Sequence, residues 1–345
     1  MRAIHVPPPV HDARRAVAAW LFACAAMVFA MVLIGGITRL TESGLSIVEW
    51  QPLIGAIPPL NEADWQALFR KYQSSPQFKQ VNRAMSLGEF KTIFWWEYLH
   101  RLWGRLIGVV FLAPFLWFLF RRTIRGALAW RLGFIFVLGA AQGAMGWYMV
   151  QSGLVDRPEV SQYRLTAHLG LALLLYALLL WTALDLRGAT GWRAAAGLRR
   201  GASALLVLVA ITMLAGGFVA GLDAGLIYNT FPLMEGRVAP PDYLATAPWW
   251  RDVFENRATV QFHHRVLALS SFFAVAIFVW RVLRASPPVF VRRASVALAH
   301  IAVLQVGLGI ATLLLVVPVP LAALHQAGAM ALFTAALWLR FALRG

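Results

Sequence analysis

Apolar runs of about 20 residues, the length needed to cross a bilayer as a helix, recur eight times along this chain. They cover residues 16–37, 95–120, 132–150, 165–184, 202–222, 260–280, 294–317 and 321–339. Lipid offers no partner to a backbone N–H or C=O, so each run must satisfy its own as a helix. The fold class read from this is all-α, a polytopic membrane protein, and a chain that is 60% hydrophobic agrees with it. The single cysteine, Cys24, lies inside the first run. It excludes an internal disulfide or a cysteine-based metal site and reads as a small buried apolar residue. Arg14 and Arg15 precede that run as they would in a secretory signal. The run is too long for a signal core and lacks a small-residue cleavage site before Thr41, so it counts as a span.

A net charge of +16 would suggest nucleic acid in a soluble protein. Its distribution points elsewhere. Most of the 31 Lys and Arg residues fall in the tails and loops on the side of the N-terminus, where only Asp12 and Asp185 oppose them. That side is therefore expected to be cytoplasmic, with both termini inside. No nucleic-acid partner is expected; lipid is. Two outer loops are long, 38–94 and 223–259. In the first, Asn61 ahead of Glu62 and Asp64, then Trp65, Leu68, Phe69 and Tyr72, predicts a capped amphipathic helix. The second carries Trp249, Trp250 and Phe254 among charges. Both loops are expected to hold helices lying on the outer membrane surface, as anchors or as lids.

The chain also repeats itself. Gly35-Gly36 with Gly44-Leu45 matches Gly216-Gly217 with Gly225-Leu226, and His100-Arg101 matches His264-Arg265. Gln142 with Gly146 matches Gln305 with Gly309, and His168 matches His325. Four spans restore the starting side, so residues 1–190 and 191–345 are predicted to form two four-helix bundles in the same orientation. They would be related by a pseudo-two-fold along the membrane normal.

His100, His168, His264 and His325 each come shortly after the outer end of an even-numbered span, which puts them at similar depth. An intramembrane ionisable residue is a functional hypothesis by default. Facing imidazoles in a helical bundle are suited to holding a haem iron from both faces. The expected pairs are His100 with His168 and His264 with His325. His5, His11, His263 and His300 do not fit the pattern and read as structural. Arg101, Arg105 and Arg265 lie near the outer boundary, placed to meet haem propionates or to snorkel to headgroups.

An electron carrier that crosses a membrane wants haems stacked along the normal. These four histidines put two side by side at one face instead. The halves also differ at one position: Glu97 stands three residues before His100, and Gln261 three before His264. A buried carboxylate beside a haem can stabilise developing positive charge or act as a base, whereas a Gln can only hydrogen-bond. The alternative role for Glu97, the less favoured one, is a structural partner of Arg101 or Arg105.

With its eight spans, the Glu97-Tyr98-Leu99-His100-Arg101 motif, the Gln142/Gly146 pair and the paired histidines, the chain resembles the haem A synthase family over nearly its whole length. The resemblance implies oxidation of the C8 methyl of haem O to a formyl group, giving haem A for terminal oxidases. It implies a b-type haem cofactor on His264 and His325, and the substrate haem on His100 and His168, with Glu97 as the catalytic carboxylate. Haem O synthase and an electron acceptor are the implied partners. Some bacterial members carry a cysteine pair in the first outer loop. This chain has none, which makes it similar to the proteobacterial and mitochondrial subtype. The main rival is a di-haem cytochrome taking electrons from a quinol; a transporter built from repeats is a more distant one.

Overall fold

The computed structural model describes residues 10–50, 54–154, 158–189 and 191–345; His5 lies outside them. Among the described residues the chain forms helices and no strand. In order they are α1 (Val10–Leu40), α2 (Glu62–Gln73), α3 (Pro76–Gln80), α4 (Leu87–Phe120), α5 (Gly126–Gly153) and α6 (Gln162–Leu186). Then follow α7 (Ala196–Gly221), α8 (Trp249–Glu255), α9 (Arg257–Arg284), α10 (Val289–Leu314) and α11 (Val319–Ala342). All except α2, α3 and α8 are long and apolar enough to cross a membrane, eight in total. The expected fold class is what the structure shows.

Neighbour pairings recur between the halves. In the first, α1 packs on α4 and α6, and α5 on α4 and α6. In the second, α7 packs on α9 and α11, and α10 on α9 and α11. The halves meet through α6 with α7, α1 with α11, and α6 with α11. The fully buried apolar core concentrates toward the N-terminal side of the spans, with Leu21, Leu132, Leu179, Leu298 and Leu339 among its members. A hydrogen bond between the Tyr176 and Thr334 hydroxyls (2.7 Å) ties α6 to α11 there. Aromatic residues flank both ends of the bundle, as interfacial residues do. Arg121 stacks on Trp117 and Arg284 on Trp280 at one end, Arg164 on Tyr148 and Arg101 on Trp50 at the other.

Two sequence expectations change. Span 95–120 begins earlier, at Leu87, because Ser86 and Glu89 form a reciprocal capping box that extends the helix beyond the apolar run. The helix predicted after Asn61 exists, with Asn61 Oδ1 accepting from Asp64 N at 2.9 Å. Its aromatic face does not rest on lipid. Trp65, Phe69 and Tyr72 are buried against Phe90, Phe94 and Tyr98 of that α4 extension, with the Trp65 and Phe94 rings 4.9 Å apart. The second outer loop holds only the short α8, since Pro232, Pro240, Pro241 and Pro248 break any longer helix.

Asp252 anchors that second loop. Its fully buried carboxylate accepts from Thr259 Oγ1 (2.7 Å), Asn256 Nδ2 (2.8 Å) and Thr246 N (3.2 Å). Burial raises its carboxyl, but these hydrogen bonds outweigh it and leave the group below its ordinary value. A depressed carboxyl stabilises above its unfolded pKa and loses that contribution as pH falls through the folded one. Limited proteolysis of the loop is therefore expected to be flat from neutral pH to about 4 and to accelerate below it. Acceleration beginning near pH 6 would contradict this role.

Candidate functional site

Each of the four histidines rests on a glycine of the span before it. A Cβ at Gly35 would stand 3.0 Å from His100 Cε1, at Gly146 3.2 Å from His168, at Gly216 3.1 Å from His264, and at Gly309 2.8 Å from His325. Glycine is needed because any side chain there would push the imidazole away. The spans α1, α5, α7 and α10 thus supply the seats, and α4, α6, α9 and α11 the rings.

His100 and His168 are seated in the first half and His264 and His325 in the second, each ring on a glycine of its own half. Amides from the glycine-bearing helices orient one ring of each pair. Gln142 Nε2 stands 3.3 Å from His168 Nε2 and donates to His168 O at 3.1 Å; Gln305 Nε2 stands 3.1 Å from His325 Nδ1. His168 Nδ1 and His264 Nδ1 are buried without a hydrogen-bond partner.

The halves touch at the two Gly-Gly dipeptides. Gly36 has no room for a Cβ because the Gln326 amide lies over it, donating from Nε2 to Val32 O at 2.8 Å. Gln326 follows His325. On the other seam, a Cβ at Gly217 would meet Thr166 Oγ1 at 3.1 Å and Leu169 at 3.3 Å, which flank His168. In each dipeptide the first glycine seats a histidine of its own half, and the second abuts the helix carrying a histidine of the other. Gly36→Ala is expected to displace the Gln326 amide and cost about 1 kcal/mol, the scale of a hydrogen bond between membrane helices. A fall of a few degrees in Tm would report it; an unchanged Tm would mean that Gln326 contributes nothing at the seam.

Glu97 is 3% exposed and fully engaged. Its Oε1 accepts from Arg101 at 2.5 Å, and its Oε2 from Ser46 Oγ and Ile47 N, each at 2.7 Å. The structural partnership with Arg101 is therefore present. Arg101 also donates to Ile47 O (2.8 Å) and Glu49 O (3.1 Å). Arg265 does the same in the second half, to Tyr228 O (2.5 Å), Thr230 O (2.8 Å) and Gln261 Oε1 (2.9 Å). Both arginines thus hold loop carbonyls, a role the sequence reading did not assign. Arg105 sits one turn deeper on α4. His263 faces the second outer loop, 3.2 Å from the Tyr243 hydroxyl, and His300 bonds back to Val296 O on its own helix.

The donor set discriminates between a porphyrin and a bare ion. A bare metal wants three or four side-chain ligands. Among the described residues no group of three His, Cys, Asp or Glu is placed to supply them. A porphyrin iron asks only for axial ligands. Imidazoles in pairs, seated on glycine, with buried ring nitrogens lacking a partner, fit that demand.

Fold and site together define a polytopic all-helical membrane protein with four glycine-seated histidines built to one plan. The sequence profile of the cytochrome oxidase assembly protein family matches residues 18–337, and the chain belongs to that family. It is 56% identical to the Heme A synthase of Nitrosospira multiformis, over 96% of this chain and 94% of that one. It is 50% identical to the Heme A synthase of Nitrosomonas eutropha, over 93% and 92%, and 52% identical to that of Rhodospirillum centenum, over 96% and 89%.

Proposed function

We propose that this chain is a haem A synthase, an oxidoreductase converting the C8 methyl of haem O to a formyl group. The observation that carries the proposal is the duplicated, glycine-seated histidine pair in a chain half identical to relatives of that name along nearly their whole length. His100 and His168 take the substrate haem, and His264 and His325 a b-type haem. When bound, that cofactor supplies one-electron transfer away from the substrate site. The recurrence of neighbour pairings and glycine seats supports two bundles, 1–190 and 191–345, related by a pseudo-two-fold.

The chain's own residues do the following. The histidines orient the two porphyrins, and Gln142 and Gln305 fix ring orientation from behind. Glu97 presents a fixed negative charge beside the substrate pair. There it would stabilise the methyl carbon as it becomes electron-poor: two oxidations, each adding one water and passing two electrons and two protons away, the electrons to the electron acceptor, give an alcohol and then a hydrated aldehyde that loses water. Three donors hold that carboxylate still, the kind of preorganisation that makes a charge effective in a low-dielectric site. Arg101, Arg105 and Arg265 lie at the outer ends of α4 and α9, where their charge would favour haem propionates. The basic side of the bundle is the cytoplasmic one, in a bacterial inner membrane. An electron acceptor and the enzyme that makes haem O are the expected partners.

An optical spectrum of the purified protein, then chromatography of its extracted pigments, tests the proposal. Protein made with ample haem O is expected to show a Soret band and to yield haem b with haem A. Haem b alone would favour the di-haem cytochrome instead, and no Soret band would exclude both.

A further inference from the structure

The segments that follow α1 and α7 are built alike. Both leave their span through a left-handed residue, Glu42 (φ 54°) or Asp223 (φ 50°), and both enter a single 3-10 turn, Ser43–Leu45 or Ala224–Leu226. Each then crosses the outer end of its bundle. Leu45, 3% exposed, reaches the end of α5, where a Cβ at Gly153 would stand 2.8 Å from it. Gly225 lies against Val317 just beyond α10, and Asn229 Nδ2 donates to Leu313 O at 2.9 Å and to Gly225 O at 2.8 Å.

The fastening of these segments has the same register in both halves but opposite polarity. Arg101 takes carbonyls 47 and 49, and Arg265 takes 228 and 230. At the neighbouring contact, Glu97 accepts from the loop, from Ser46 Oγ and Ile47 N. Gln261 donates to the loop, to Ala224 O (2.7 Å) and Ile227 O (2.5 Å). A Gln at 97 keeps one oxygen for Arg101 only by turning its NH2 toward the Ile47 N–H. A Glu at 261 sets a carboxylate oxygen against two carbonyls. Neither residue can replace the other, although they differ by one atom.

We propose that residues 43–49 and 224–230 are paired roofs over the outer mouths of the two bundles, with Glu97–Arg101 and Gln261–Arg265 as positioning latches of opposite polarity. What lies beneath each roof rests on the reading above; the latches do not.

Amide hydrogen exchange, read by mass spectrometry on full-length protein in detergent, separates the two ideas because it needs no turnover. Glu97→Gln and Ser46→Ala should each accelerate exchange in 43–49 at least tenfold and leave 224–230 unchanged, with Ser46→Thr restoring protection. Gln261→Glu should do the converse. If that variant does not accumulate, Asn229→Ala gives the second arm, with faster exchange confined to 224–230. Unchanged exchange in both loops, or equal acceleration of both together with the spans, would overturn the latches. Pigment extracted from the same samples reports separately on the haem reading, whose failure would leave the exchange pattern intact.

Discussion

His264→Ala and His325→Ala are each expected to yield protein that reaches the membrane, carries about half the haem of the parent and makes no haem A. An axial imidazole contributes the protein's bond to the iron, and each of these sites has only two. Either substitution therefore removes the proposed b-type haem while the His100/His168 pair remains. Conversion stops because electrons have nowhere to go, not because the substrate cannot bind. Extracted pigment should then be haem O without haem b. The neighbouring Gln305→Leu is a graded control. It removes an orienting amide 3.1 Å from the ring and is expected to lower haem retention by about 10- to 100-fold, the usual scale for a residue behind a ligand. Full haem b content in either alanine variant would remove the C-terminal pair from cofactor binding. Gly309→Val should mimic His325→Ala without touching a ligand, since a side chain there has no space beside the ring.

The spans were legible because lipid enforces one solution. An apolar run of that length must be a helix, and the basic residues sort to one side. The four histidines stood out because duplication put the same residue at the same place in two spans of each half. The Gly-Gly dipeptides showed in the sequence as a repeat, but not what they were for. A glycine's purpose lies in its neighbour, and Gln326 comes from the far end of the chain to cover Gly36. The early start of α4 could have been found, since Ser86 and Glu89 have capping-box spacing. The outer loops were the least legible. Their aromatic residues predict burial without saying against what, and α2 found the α4 extension before it found lipid. Ser46 carried no signal of its own. Only its place after Gly44-Leu45, one residue beyond the repeated turn, hinted that it would be held.

Glu97→Ala is expected to retain both haems and lose conversion of haem O by about 100- to 1000-fold, the range seen when a preorganised electrostatic stabiliser is removed from an active site. The size follows from its surroundings. The carboxylate is 3% exposed, so water screens it little, although the Arg101 guanidinium offsets part of its charge. Deleting one member of a buried ion pair commonly costs about 3–5 kcal/mol, because the other is left without compensation. Here the loss is softened, since Arg101 keeps Ile47 O and Glu49 O. The variant should therefore fold, and its histidine pairs should be undisturbed. Chromatography of its pigments is expected to show haem O and haem b with haem A near the detection limit. Ser46→Ala separates charge from roof: it loosens residues 43–49 but keeps the carboxylate, so its haem A yield should fall far less. Haem A at the parental level in Glu97→Ala would reduce Glu97 to a latch. Equal losses in Glu97→Ala and Ser46→Ala would mean that closing the roof, rather than the charge beneath it, carries the chemistry.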